Sequence, residues 1–483
     1  MIKGILFLVF ADLFFIYFFL PVCLIFYFMT RNLHIRNAVL IVFSLVFYAW
    51  GEPVWVCLLV FSAVVDYING LVIEKNRGKT PARLAVVCSL VINLGLLVAF
   101  KYSGFIVENV NNLVGTEFTV PNIRLPIGIS FYTFQTISYT IDCYRDKVPT
   151  QHNFFKFLMY VSLFPQLVAG PIVRYSTIGK EIEYRTSDMQ MVSEGISRII
   201  LGLGKKVIIA NAISKIVSTC FGEAADGYAA VSTVSVTGAW FGGIMVALWY
   251  YYDFSGYSDI AIGLGRIFGF HFDENFKYPL ISKSISEFWR RWHISLSSWF
   301  RDYVYIPLGG NRVSKGRHLL NIMIVWSLTG LWHGASWNFP IWGIYFGIFL
   351  LIEIGIGKER LQKIPAVLLH LYTVLVVGFG FGIFYFDKTG PLLQFFKATV
   401  GANGNPLTDT ITKTVIRNNA YILVAVVLFT MPIVPKIKER CMKNRTSAVV
   451  IQSAGVVCNL AILLICSILL VNTTNNPFLY FRF

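Results

Sequence analysis

Charge is scarce in this sequence. Asp, Glu, Lys and Arg make up 14% of its 483 residues, well below the quarter typical of soluble domains. With 56% hydrophobic residues and a mean hydropathy of +0.65, a water-soluble fold would have too little polar surface to cover its exterior. Also missing is any Cys-x-x-Cys spacing among the eight cysteines. Most of them lie in apolar runs, where a thiol acts as a small hydrophobe, so neither a disulfide framework nor a metal site is expected. No internal repeat appears, which weighs against an inverted-repeat transporter. The first apolar run, Gly4 to Met29, has no small-residue cleavage site and is too long for a signal-peptide core. It reads as a retained membrane helix.

What the sequence has in abundance is long apolar runs. They fall near 4–29, 37–50, 53–73, 83–100, 125–141, 154–173, 195–215, 233–252, 254–270, 319–333, 336–356, 366–386, 416–434 and 447–471. Runs of this length separated by short charged loops predict an all-α, polytopic transmembrane bundle, with about 11 to 14 membrane helices once re-entrant segments are included. The whole chain, 1–483, reads as one integral membrane domain. The net charge of +16, from 41 basic and 25 acidic residues, is carried by loops between apolar runs. It therefore points to membrane lipids and the positive-inside bias, and not to nucleic acid. The basic loop 74–83, with Lys75, Arg77, Lys79 and Arg83, is placed in the cytoplasm and the loop Gly51-Glu52-Pro53, which has no Lys or Arg, outside. The clusters at 283–318, Lys358 to Lys363 and Lys436 to Arg445 agree, so both termini are expected on the extracytoplasmic side.

The stretch 283–318 carries seven Lys or Arg against Glu287 and Asp302. Phe288, Trp292, Leu296 and Trp299 recur in it every three to four residues, which predicts an amphipathic re-entrant segment lying at the inner interface. Pro307-Leu308-Gly309-Gly310 breaks it, and the chain is expected to enter the membrane near residue 319. From Leu319 to His333 a helix rises about 21 Å, short of a hydrocarbon layer of about 30 Å. His333 is thus expected at membrane depth, just before Gly334-Ala335-Ser336 turns the chain back. An imidazole there should face a protein interior or a wet cavity. A satisfied core histidine is the plain alternative. His370, only five residues past Pro365, lies near a membrane boundary and reads as structural. His293, in FWRRWHISLS, is placed to face the same cavity from below.

These residues carry a resemblance. EFWRRWHISLSSWFRDYVYIPLGGNR (287–312), followed by LTGLWHGASWNFPIWG (328–343), resembles the membrane-bound O-acyltransferase family. Within it, the nearest likeness is to the branch of alginate and exopolysaccharide O-acetylation. LPIGISFYTFQTISYTIDCYR (125–145), FPQLVAGPIVR (164–174), the 251–279 segment and the terminal NPFLYFRF (476–483) add to it, and the family-like core covers 36–345. The related teichoic acid D-alanyl transfer proteins share the FW.RWH.SLS.WFRDY string but usually lack the PLGGNR continuation present here.

The resemblance implies a membrane acyltransferase with a central tunnel, fed by a cytoplasmic thioester donor, either acetyl-CoA or an acyl-phosphopantetheine carrier, with no resident cofactor. It puts the family's invariant histidine on His333 and its second polar position on His293. His333 would serve as general base on an acceptor hydroxyl, or as a transient acyl carrier. Trp332, Asn338 or main-chain amides near Gly334 are candidate oxyanion donors. Arg290, Arg291, Arg301, Arg312 and Lys315 would receive the donor's phosphates, with lipid headgroups as the competing reading. Gln135 and Asn311 are candidate tunnel donors, and Asp253 a cavity-lining or helix-packing group. The acceptor would be a polysaccharide, reached through an extracytoplasmic esterase-like acyltransferase protein. The alternatives are D-alanyl transfer and, in a different class, a proton-coupled transporter or flippase using His333 as a relay.

Overall fold

The computed structural model describes residues 8–168 and 170–471, which places the terminal NPFLYFRF string and residues 4–7 of the first apolar run outside the described residues. Among the described residues every regular element is helical. Six helices are long and apolar enough to cross a membrane: Leu33–Gly51, Val56–Lys75, Thr80–Val114, Asn338–Ile356, Ala366–Tyr385 and Arg445–Val471. The pair Thr410–Asn418 and Ala420–Phe429, bent by 66°, would make a seventh. The chain is a multi-pass membrane protein.

The other apolar runs are helical too, but they are shorter, broken or more polar. Phe15–Phe28 spans 14 residues, interrupted by a π-turn at Phe15–Phe19, and reaches only about 21 Å. The run at 154–173 splits into Phe154–Ser162 and Phe164–Leu167. Where two segments were expected at 233–252 and 254–270, one continuous helix, Val236–Ile267, runs through. Asp253 does not break it, because the buried Lys206 ammonium lies 2.5 Å from its carboxylate.

The described residues cluster into two compact units. In the first, residues 8–202, 257–274 and 467–471, polar side chains tie membrane helices together. Asp66 accepts from Asn93 Nδ2 (2.7 Å) and Thr140 Oγ1 (2.9 Å), while Ser62 Oγ donates to Asn93 Oδ1 (2.5 Å). This joins Val56–Lys75, Thr80–Leu97 and Ile129–Tyr144, the use of polar groups as interhelical glue where water is absent. In the same unit Arg198 holds Asp259 and Glu274 together.

The second unit, residues 203–256 and 275–466, contains the helical hairpin Lys315–His333 and Asn338–Ile356. Glycine sets its spacing. A Cβ on Gly330 would clash with the Phe339 carbonyl, and one on Gly343 with the Trp326 carbonyl. Gly343 and Gly347 form the small-xxx-small spacing that lets membrane helices approach closely.

Against this hairpin pack the short helix Ile285–Arg291 and a π-turn at Arg301–Tyr305, with a second short helix, Ile294–Phe300, between them. The expected single amphipathic helix is therefore interrupted at Trp292-His293 and not first at Pro307. Its aromatic face is also not spread on an interface: Phe288, Trp292, Leu296 and Trp299 are all buried. The physical cause is the pairing of Lys277 N–H with Arg291 O (2.9 Å) and of Ile294 N–H with Asn275 O (3.0 Å), which draws the backbone inward. The rising helix begins at Lys315, four residues before the expected entry. Its polar first turn leaves the apolar rise from Leu319 to His333 as expected.

Candidate active site

His293 sits between the two short helices at φ 44, ψ 54, a left-handed conformation. His tolerates that region better than most residues, at a cost of order 1–3 kcal/mol. Its ring is buried among Phe254 (4.6 Å, edge-on), Trp332 (6.2 Å) and Phe276 (6.5 Å). Nδ1 lies 3.2 Å from Asn275 Oδ1, and Nε2 is buried with no hydrogen-bond partner. Burial pushes the imidazole down to about 3, so the ring is neutral at physiological pH.

His333 ends its helix, and extended Gly334 follows. The ring is half-buried and meets Trp332 (5.0 Å), Trp342 (5.2 Å) and Phe384 (5.0 Å) edge-on. Trp332 thus packs against both imidazoles.

Both rings line one cavity of about 280 Å³. One wall is a helical stripe, Ile322, Val325, Trp326, Thr329 and His333, spaced to share a face and running about 16 Å along the axis. Trp289, Trp292, Leu296 and Phe300 form the facing wall, and Arg290, Arg301 and Tyr305 supply polar groups. A second cavity of about 700 Å³ shares Ser286, Arg290 and Ile354 with the first. Its lining adds Lys283 and Lys358, and two acids that are already engaged. Glu287 pairs with Arg291 (2.9 Å) and accepts from Lys283 N–H. Glu353 accepts from Ile285 N–H (2.5 Å), Ser286 N–H (2.9 Å) and Ser286 Oγ (2.7 Å). With the acids occupied, the lysines and Arg290 give this space a cationic character suited to an anionic group.

The expected site residues divide. His293, His333, Arg290 and Arg301 converge on the first cavity, with Trp332 packed against both imidazoles; Lys315 does not line it. Arg291 does not line it: its guanidinium is spent on Glu287 and on the Lys277 carbonyl (3.1 Å). Asn311 and Arg312 are exposed on the turn after Pro307, outside the cavity lining, while Asn321 Nδ2 pins that turn through Leu308 O and Gly310 O (3.1 Å each). Asn338 Nδ2 donates to Phe384 O (3.0 Å), so its donor serves packing. Asp253 is held in the Lys206 ion pair, and Gln135 is buried in the first unit on Ile129–Tyr144. His370 donates from Nδ1 to Ser282 O (3.2 Å), the structural role expected of it. Sequence reasoning missed Asn275, Trp289 and Glu353. Of these, only Trp289 lay in the stretch already singled out for its charge.

Two imidazoles on an aromatic cavity, His293 held neutral by burial and cations at the polar end, form an arrangement that can serve acyl transfer to a hydroxyl. The chain belongs to the MBOAT, membrane-bound O-acyltransferase family, whose model matches residues 129–388. It is accordingly an acyltransferase. It is 40% identical over 396 residues (81% of this chain, 74% of the relative) to a Pseudomonas aeruginosa protein named "Probable alginate O-acetylase AlgI". The Azotobacter vinelandii protein of the same name is 36% identical over 99% of this chain and 100% of its own length. The peptidoglycan O-acetyltransferase of Helicobacter pylori is 32% identical over 81% of this chain and 79% of its own length.

Proposed function

We propose that this protein moves an acetyl or similarly short acyl group from a cytoplasmic thioester across a bacterial plasma membrane for O-acetylation of an extracellular polysaccharide. The observation that carries this reading is the convergence of His293 and His333 on one narrow cavity that adjoins a cationic one. The O-acetylase names of its relatives support it. A teichoic acid D-alanyltransferase from Streptococcus thermophilus is also similar, but over only 47% of this chain.

The donor, acetyl-CoA or a phosphopantetheine carrier, would place its phosphates near Arg290, Lys283 and Lys358 and extend its thioester along the Ile322 to His333 stripe. Basic loops at 74–83, 283–318 and 436–445 favour a cytoplasmic position for that mouth and extracytoplasmic termini. His333 would accept the proton from an acceptor hydroxyl as its oxygen attacks the carbonyl carbon. The C–S bond then breaks, and the thiolate leaves to be protonated. Passing only the acyl group avoids carrying a charged coenzyme through hydrocarbon. The acceptor would belong to the polysaccharide itself or to an extracytoplasmic esterase-like partner.

The test compares wild type with His333→Ala and His333→Gln. Both variants should insert normally into membranes, yet acetyl transfer from labelled acetyl-CoA in vesicles, and the acetyl content of the exopolysaccharide, should fall at least 100-fold, the scale of lost general-base catalysis. Retained acetylation would remove His333 from the chemistry. Transfer of D-alanine in place of acetyl would move the protein to the alternative class.

A further inference from the structure

We infer that Asn275 is a positioning residue that holds His293 in a single tautomer, with the proton on Nδ1 and the lone pair on Nε2. The inference rests on the reading above that His293 belongs to the acyl-transfer site.

Three groups approach Asn275 Oδ1: Ser295 N–H at 3.1 Å, Ser295 Oγ at 2.9 Å and His293 Nδ1 at 3.2 Å. A main-chain N–H can only donate. The atom it meets must therefore be the amide oxygen, since the flipped side chain would set N–H against N–H. With an oxygen in that position, Nδ1 of His293 is the donor, which leaves Nε2 unprotonated; Ser295 Oγ also stands 3.5 Å from Nδ1, but its proton goes to the nearer Asn275 Oδ1 at 2.9 Å. The Asn275 main-chain carbonyl takes the Ile294 N–H at 3.0 Å, so one fully buried residue fixes positions 293, 294 and 295. The left-handed backbone of His293 turns Nδ1 toward it.

The choice of amide over carboxylate has a consequence. In a hydrolase triad a carboxylate fixes the tautomer and also favours the imidazolium. An amide oxygen fixes the tautomer without adding charge. The aromatic rings of Phe254, Phe276 and Trp332 surround His293. The titratable groups on its cavity are Arg290, Arg301, Tyr305 and His333, and Asp253, beside Phe254, is paired with Lys206. A carboxylate at position 275 would put an anion against Nδ1–H in a buried site and draw a second proton onto the ring.

The experiment uses the full-length protein in nanodiscs with ¹⁵N-labelled histidine, and His293→Gln identifies the His293 signals by difference. Wild type should show protonated Nδ1 and unprotonated Nε2, unchanged from pH 6 to 8. Asn275→Asp should show both nitrogens protonated at pH 7, and the acid limb of its acyl-transfer pH profile should move up by at least one pH unit. Asn275→Ala should show a mixture of tautomers. A wild-type spectrum with the proton on Nε2, or spectra unmoved by both substitutions, would overturn the inference. Because the spectrum needs no substrate, an inactive wild type overturns the acyl-transfer reading alone.

Discussion

Glu353 offers the sharpest test of how the cavity is held open. Its carboxylate is buried and takes Ile285 N–H at 2.5 Å, Ser286 N–H at 2.9 Å and Ser286 Oγ at 2.7 Å. These are the exposed donors at the start of Ile285–Arg291, the helix that carries Trp289 and Arg290 into the cavity wall. Glu353 thus caps, from the end of a membrane helix, a segment that would otherwise start with orphan N–H groups. Glu353→Ala strands these three donors at about 1–3 kcal/mol each, roughly 3–9 kcal/mol in all, and also loses the longer Tyr372 hydroxyl contact at 3.4 Å. Glu353→Gln keeps one acceptor oxygen and should cost about half as much. Glu359→Ala, on an exposed position six residues away, should cost nothing measurable. Unfolding by dodecyl sulfate titration in mixed micelles would rank the three. A double-mutant cycle with Ser286→Ala should return a coupling of about 1–2 kcal/mol. In the folded fraction, acyl transfer should fall roughly 100-fold, since displacing a cavity wall by about 1 Å costs that much. An Ala variant as stable as wild type, or a coupling near zero, would refute the capping argument.

Two further outcomes follow from packing and charge. Gly343→Ala should destabilise the helical hairpin by about 1–3 kcal/mol, because its Cβ meets the rigid Trp326 carbonyl; Gly355→Ala on the same helix, with nothing within 4 Å, should stabilise it by up to about 1 kcal/mol. The same micelle titration separates these opposite signs. Burial alone would raise the Glu287 carboxyl, but the Lys283 N–H and Arg291 outweigh it and hold the group below its ordinary value. A depressed acid stabilises above its unfolded value of about 4.3 and loses that contribution as pH falls through the folded value. Glu287→Gln should therefore cost about 0.5–1 kcal/mol at pH 6, and the difference from wild type should close below pH 4. A gap that widens in acid would contradict the assignment.

The membrane character and His333 were legible because both are local signals. Apolar length, loop charge and the Gly334-Ala335-Ser336 turn sit next to the residues they place. The break at His293 was not legible. Phe288, Trp292, Leu296 and Trp299 keep helical spacing straight through it, and what bends the chain is a pairing with Asn275 and Lys277, 19 and 14 residues upstream of their partners at 294 and 291. Arg290 and Arg291 look equivalent in a basic run, yet neighbours on a helix point about 100° apart. One signal did distinguish them: Glu287 stands four residues before Arg291, the spacing of an intrahelical ion pair. Glu353 was hidden for another reason. It reads as the polar end of an apolar run, and only the packing of a distant short helix against it gives it a role.

The two imidazoles occupy contrasting environments, and on the proposed reading that contrast assigns their work. His293 is enclosed by aromatic rings and anchored through Nδ1, so a positive charge on it would face no compensating group in contact. His333 is half-exposed to the cavity at the carboxyl end of its helix, where the last-turn carbonyl oxygens favour positive charge. A proton taken from an acceptor hydroxyl is therefore better held on His333, while His293 serves as a fixed, neutral surface for the thioester or its departing sulfur. Exchanging those environments, with a carboxylate at position 275 and an uncharged residue at 333, would leave the cavity intact and move the only stable imidazolium to the wrong end of it. Such a double variant should bind donor and fail to transfer. Transfer surviving in it would mean that the two rings are interchangeable, which their surroundings argue against.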